Sequence, residues 1–298
     1  MPEEKYAFAP ASKLMQVHEI EQLAKLFVAN GVTKIRLTGG EPLVRKDAPK
    51  IIEALGKLGV ELAITTNGIR LHEMLPELIA ANINTINISL DTLQPDKFLK
   101  ITRRDLYHRV RSNIEILLQH NIRTKINVVV MKGLNDNEIN DFIALTKHYP
   151  LEIRFIEFMP FSGNKWTSNQ VVTLDEILAT AGQKYEVLAV EGQPHDTAKH
   201  FMIPGHAGSF AVISTMSSPF CEGCNRMRLT ADGKLKNCLF SKSETDLLSV
   251  LRAGEEVLPL IHDTIKAKAK ALGGQMDDKF ENLDATVLQN RSMITIGG

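Results

Sequence analysis

Five short β-rich segments recur through the first half of the chain with helical segments between them: Lys34–Thr38, Leu62–Thr66, Thr85–Ser89, Lys125–Val130 and Glu152–Ile156. This alternation leaves few folds open. The intervening stretches carry apolar residues at helical spacing, as in Ile20, Leu23, Leu26 and Phe27 and again in Ile51, Ile52, Leu55 and Leu58, with Gly31 and Gly59 close to their C-terminal ends. Strands joined through helices return in the same direction, so the pattern predicts an α/β fold with one parallel sheet.

Polar residues gather where these strands end, at Thr38-Gly-Gly-Glu-Pro42, Thr65-Thr-Asn-Gly68, Ser89-Leu-Asp91 and Glu157-Phe-Met159. Each alone is ordinary turn chemistry. Together they occupy one topological position, the carboxyl ends of parallel strands, where α/β folds build their ligand sites. From about Phe161 the period breaks. A helix is predicted from near Thr173 and Asp175 to about Ala181, followed by strand-like runs at Tyr185 to Val190 and Phe210 to Ser214, a hairpin around Ala231-Asp-Gly233, and two helices at about 244–252 and 254–272. The expected organisation is a parallel α/β region over residues 1–160 and a second, α+β region, 161–298, capping its mouth.

All three cysteines lie in that second region, at Cys221, Cys224 and Cys238, with Arg226 and Arg228 between them. A structural zinc usually takes four protein ligands, whereas a cubane iron–sulfur cluster held by three cysteines leaves one iron open. Zinc completed by His195, His200 or His206, or three unrelated buried thiols, are the competing readings of this spacing. The first thirteen residues lack an apolar core of the kind a secretion signal needs, and no long apolar run occurs, so a cytoplasmic protein with reduced thiols is expected. With 35 basic and 35 acidic residues the charge is balanced, which gives no support to nucleic-acid or membrane binding.

Taken in order, Gly39-Gly-Glu-Pro42, Thr65-Thr-Asn-Gly68, Ser89-Leu-Asp91, Arg154-Phe-Ile-Glu-Phe-Met159, Cys221-x2-Cys224-Asn-Arg-Met-Arg228, Cys238 and Gly297-Gly298 closely resemble the GTP 3′,8-cyclases, radical S-adenosylmethionine enzymes of molybdenum cofactor (molybdopterin) biosynthesis. The resemblance implies a TIM-type barrel and a lyase that converts GTP to (8S)-3′,8-cyclo-7,8-dihydroguanosine 5′-triphosphate, starting from a 5′-deoxyadenosyl radical that takes the ribose C3′ hydrogen. It implies S-adenosylmethionine contacts at Gly40, with its neighbours Gly39 and Glu41, and at Ser89 and Met159. It implies GTP contacts at Arg36, Thr65, Lys125, Arg226 and Arg228, which Arg154 is expected to join, and a 4Fe–4S cluster on Cys221, Cys224 and Cys238. The terminal Gly297-Gly298 resembles a tail that reaches the active site.

Arg36 and Lys125 sit on strands whose alternate residues are Ile and Val, so their charges are expected to point into the barrel. An inward cation needs an anion, which a triphosphate would supply, as would a neighbouring Glu41 or Glu157.

Members of the family carry a first strand and a Cys-x3-Cys-x2-Cys loop, normally followed by Met-Pro, and this sequence opens with Met1-Pro2. The expectation is therefore an incomplete barrel without its first strand, with an exposed edge at Lys34 to Thr38, inactive as a cyclase and inclined to self-associate, as relatives are often homodimers. A non-catalytic GTP-binding iron–sulfur protein is the alternative. The family's product passes to the next enzyme of molybdopterin synthesis, which is the implied protein partner.

Overall fold

A computed structural model describes residues 10–276 and 279–296. Its main sheet follows from the two-residue period of the strands. The first five are β1 (Lys34–Leu37), β2 (Glu61–Thr66), β3 (Thr85–Ser89), β4 (Arg123–Val130) and β5 (Glu152–Glu157), all parallel and in sequential order. Helices α1 (Val17–Ala29), α2 (Ala48–Gly56), α3 (Leu71–Ala80), α4 (Pro95–Thr102), α5 (Tyr107–Gln119) and α6 (Ile139–Leu145) precede or connect them.

The sheet then continues through later residues. Beside β5 lies β8 (Ser209–Ile213), again parallel, followed by the antiparallel β7 (Lys199–Met202) and β6 (Leu188–Val190). The result is an eight-stranded, mostly parallel sheet, an incomplete TIM-type barrel, with β1 at one end among the described residues. Strand β7, whose burial is broken by charged and polar residues, is one the sequence pattern does not announce.

Register decides what each face carries. The pairs Arg36↔Ala63, Thr65↔Asn87, Asn87↔Lys125, Lys125↔Glu152, Asn127↔Arg154 and Arg154↔Ala211 place these residues on a common face. The alternate residues, among them Ile64, Ile86, Ile126, Ile153, Phe155 and Phe210, form the main hydrophobic core against the helices. One face is therefore apolar and packed, and the other is polar and faces the barrel interior.

Helix α7 (Leu174–Gly182) begins where predicted. Thr173 caps it by accepting from the Glu176 N–H at 3.3 Å, while the Glu176 carboxylate accepts from Thr173 N–H at 2.8 Å, a reciprocal capping box. The same junction holds Glu157, fully buried, whose carboxylate accepts from the backbone N–H groups of Leu174 (2.9 Å), Met216 (2.7 Å) and Ser217 (2.8 Å) and from the Ser217 hydroxyl.

Beyond residue 220 the chain forms a small antiparallel sheet of β9 (Arg228–Leu229), β10 (Lys234–Lys236) and β11 (Thr245–Asp246), with α8 (Leu247–Arg252) and α9 (Leu258–Lys266) packed on it. The predicted hairpin is there. Gly233 makes its turn at φ +71°, and a Cβ at that position would lie 2.3 Å from Leu248 Cβ, so only glycine fits. The two predicted helices are shorter than expected: the second starts at Leu258, next to Pro259 in its first turn, and stops at Lys266. Leu235, Leu248 and Ile261 share a core with Leu23 of α1, and Arg252 adds an ion pair to Glu19 at 2.6 Å, so this region docks on the barrel's first helix. Among the described residues no helix is long and apolar enough to cross a membrane.

Candidate active site

The polar face of the sheet gathers cations. Arg36 comes from β1, Lys125 from β4 and Arg154 from β5, while Arg226 and Arg228 enter from the cysteine loop and β9. Their electrostatic effects on one another show that they form one group. Burial first, then the repulsion of Arg154 and Arg226, draws Arg36 down to about 10. Burial, then Arg226 and Arg36, brings Arg228 to about 10 as well. Lys125 falls to about 8, from burial and then Arg154, with Glu152 pulling the other way. All three values lie above 7, so these groups are charged at neutral pH. Arg226 also rests over the Phe220 ring, 5.3 Å from its centroid, a cation–π contact that holds its guanidinium at the mouth of the cysteine loop.

The anion that answers Lys125 and Arg154 is Glu152, not Glu41 or Glu157. Lys125 Nζ lies 3.1 Å from Glu152 Oε1 and 3.4 Å from Oε2, and Arg154 Nε donates to Oε1. Burial pushes the Glu152 carboxyl up, but Arg154 and Lys125 outweigh it and hold the group below its usual range. Glu157 is spent on backbone amides, as described above. Glu41 accepts from Asn67 N–H (2.6 Å), Thr66 Oγ1 (2.7 Å) and Leu43 N–H (3.1 Å), so its carboxylate ties the loop after β1 to the loop after β2. Burial raises the Glu41 pKa, against those three donors.

Gly39 and Gly40 are exposed beside this strut, and Gly39 has φ +142° with open space where a Cβ would stand. A ligand can approach that backbone closely. Ser89, at the carboxyl end of β3, is the one exposed residue of an otherwise buried strand. Thr65 is buried on β2, paired with Asn87 and two residues beyond Ala63, the partner of Arg36. Met159 is partly buried between two small aromatic clusters, against Trp166 and Phe158 on one side and the stacked Phe161 and Phe240 on the other. Gly297-Gly298 lies outside the described residues.

Two site features had no signal in the sequence. Asn87 is 1% exposed, and neither its amide nitrogen nor its oxygen has a protein partner, and the same holds for the oxygen of Asn127. Only the register reveals that both sit on the cationic face. Lys268, 44 residues beyond Cys224, donates to the Cys224 carbonyl at 2.6 Å and approaches its sulfur at 3.5 Å.

The cysteines are free and half-buried. Besides Lys268, the Leu272 N–H points at the Cys221 sulfur, 3.3 Å away. Burial raises the Cys224 thiol, but the Arg226 amide, Lys268 and the Arg226 charge outweigh it, so the thiol lies below its ordinary value. Donors aimed at sulfur are what a ligating thiolate needs. Among the described residues no three His, Cys, Asp or Glu side chains close in as they would around a single metal ion. Three half-buried free thiols, with Lys268 beside one sulfur and the Leu272 amide at another, are the kind of donor set a three-cysteine cluster would use.

Two families of known proteins match the chain. The Radical SAM superfamily profile matches residues 4–146, and that of Molybdenum Cofactor Synthesis C matches residues 151–273. The mitochondrial GTP 3′,8-cyclase of Arabidopsis thaliana is 44% identical across the whole chain, which covers 76% of that protein. The GTP 3′,8-cyclase of Thermodesulfovibrio yellowstonii is 39% identical, again across the whole chain and over 92% of its own length. Molybdenum cofactor biosynthesis protein 1 of Mus musculus is 45% identical, but the chain spans only 47% of it, about half the length of several relatives it matches. In fold, the Streptococcus suis SuiB structure bound to S-adenosylmethionine superposes with a TM-score of 0.53 over 80% of this chain and 58% of that one, at 15% identity.

Proposed function

Because the chain belongs to the GTP 3′,8-cyclase family, we propose that its cationic face binds GTP, with Arg36, Lys125, Arg154, Arg226 and Arg228 on the triphosphate and guanine and Thr65 beside them. The observation that carries this reading is the gathering of cations at one place: register sets Arg36, Lys125 and Arg154 on one sheet face, and Arg226 and Arg228 lie close enough to repel them. Lys125 is buried and Arg154 and Arg228 are half-buried, while Arg36 and Arg226 stay open to solvent, so a polyanion can reach the group. Arginine suits both phosphate forks and stacking on a base.

Cys221, Cys224 and Cys238 would hold a 4Fe–4S cluster, which supplies an open iron for a donor atom of the purine. Gly39, Gly40, Ser89 and Met159 would receive S-adenosylmethionine, and Glu41 would act there by shaping the loop. In this reading residues 1–160 form a partial radical-SAM barrel and 161–298 an iron–sulfur and GTP-binding region. The protein's own work is to orient the nucleotide and exclude water from it.

The three cysteines of these 298 residues all belong to that one set. Cleavage of S-adenosylmethionine requires a second cluster, so the 298-residue polypeptide alone is expected to bind GTP without cyclising it. Free thiols fit a reducing cytoplasm. A homodimer and hand-over of product to the next molybdopterin enzyme complete the proposal.

Anaerobic iron and sulfide analysis with EPR, with and without GTP, tests it. About four irons per chain and a signal that GTP perturbs are expected, with Arg226→Gln weakening GTP binding about tenfold or more. Zinc in place of iron, or an EPR signal indifferent to GTP, would sink it. So would cyclised product from the 298-residue polypeptide, as far as its inactivity is concerned.

A further inference from the structure

We propose that Glu152 is the counter-ion that stands in for phosphate while the pocket is empty, stabilising the unliganded cations and holding nucleotide affinity down. The inference rests on the GTP reading above and adds a residue that sets how tightly nucleotides of different charge bind.

The geometry separates Glu152 from the other buried carboxylates. Glu157 is held by the amides of Leu174, Met216 and Ser217, and Glu138 by the Leu93 amide at 2.7 Å together with Thr92 and Lys97. Glu41 is likewise held by the amides of Asn67 and Leu43. These groups join backbone segments and cannot let go without loosening the fold. The contacts found for the Glu152 carboxylate are all to side chains: Lys125 on both oxygens, Arg154 on Oε1, and His200 Nδ1 at 3.8 Å from Oε2, with His200 Nε2 in turn 3.3 Å from Asp196.

Register explains the placement. Lys125 and Glu152 are paired residues of adjacent strands, and Arg154, two residues further along β5, shares their face. Glu152 is 8% exposed, so its charge and those beside it are poorly screened. Without it, Lys125 and Arg154 would be buried cations beside Arg36 and Arg226 with no anion, which is costly. Once a triphosphate lies against the same cations, the carboxylate becomes a like-charged neighbour and opposes binding. The opposition grows with ligand charge, so it weighs more on GTP than on GDP, and more on GDP than on GMP.

Calorimetry with GTP, GDP and GMP, alongside thermal melts of the empty protein, distinguishes this role from a plain structural ion pair. Glu152→Gln is expected to melt lower than wild type when empty and to bind GTP about tenfold tighter, with a smaller gain for GDP and the smallest for GMP. Glu152→Asp, which keeps the charge, is expected to retain the wild-type ratio of GTP to GMP affinity within about twofold. If Glu152→Gln is too unstable to titrate, inorganic tripolyphosphate should raise its melting temperature by more than it raises that of wild type.

Equal or weaker GTP binding by Glu152→Gln, or failure of tripolyphosphate to favour the variant, overturns the proposal while leaving the nucleotide reading intact. A wild-type protein that binds no GTP overturns both.

Discussion

The two faces of the main sheet are made from the same strands, one residue out of phase, and they obey opposite rules. Toward the helices, Ile64, Ile86, Ile126, Ile153 and Phe210 are fully buried in one continuous core. Toward the barrel interior, the intervening residues include three cations, a carboxylate and two asparagines with orphaned polar atoms. The packed face supplies the stability that the polar face consumes. Unpaired amides and crowded guanidinium groups persist only where something else holds the strands in place.

Breaking the packed face should give the largest effect. Phe155→Ala removes a fully buried ring that meets Phe142 and Phe210 edge-on and should cost about 3–5 kcal/mol in a urea titration. A loss below 1 kcal/mol would mean that this layer is not the main source of stability.

The polar face should answer in the opposite sense. The Lys125 pKa is about 8 in the folded protein, below its ordinary value of 10.5. The unfolded chain therefore binds more protons between those pH values, and stability should rise with pH across that window. The gain should be roughly 1–3 kcal/mol relative to Lys125→Met, compared by denaturant titration at pH 7.5 and 10.5. A parallel pH response in both proteins would show that Lys125 is not under this strain.

Smaller still is the effect of Asn87→Leu, an apolar side chain of similar size in place of an amide with no partner. It should be neutral or stabilise the empty protein by about 1 kcal/mol. Clear destabilisation would reveal a partner for the amide, such as a buried water.

Outside the sheet, Lys268→Met removes a donor beside the Cys224 sulfur and should leave folding nearly unchanged. It should instead lower the reduction potential of the proposed cluster in an EPR-monitored titration, about 59 mV for each tenfold change in the one-electron equilibrium. An unaltered potential would remove Lys268 from the cluster's surroundings.

Much of this contrast can be read before any coordinates. Ile and Val alternating with Arg36, Lys125 and Arg154 announce two unlike faces, and Thr173 followed by Glu176 announces the start of a helix. What stays hidden depends on register and on long-range closure. Nothing local says that Lys125 meets Glu152 rather than Glu41 or Glu157, because each of these carboxylates also lies near the end of a β-rich run. Asn87 reads as one more strand residue until its neighbours on both sides are known. Lys268 lies too far along the chain from Cys224 for spacing to connect them. The C-terminal helices are overestimated for a different reason: the apolar period runs through Pro259, which begins a helix better than it continues one.

The Glu157 carboxylate has a consequence for the order of assembly. Its acceptors face the amides of Leu174, Met216 and Ser217, so segments 17 and about 60 positions away close on a residue at the end of β5. Those amides have no satisfactory place until β5 is in the sheet. The later half of the chain is thus conditional on the earlier half, which suits synthesis from the N-terminus. Slow hydrogen exchange at Met216 and Ser217 would report that the two halves have joined.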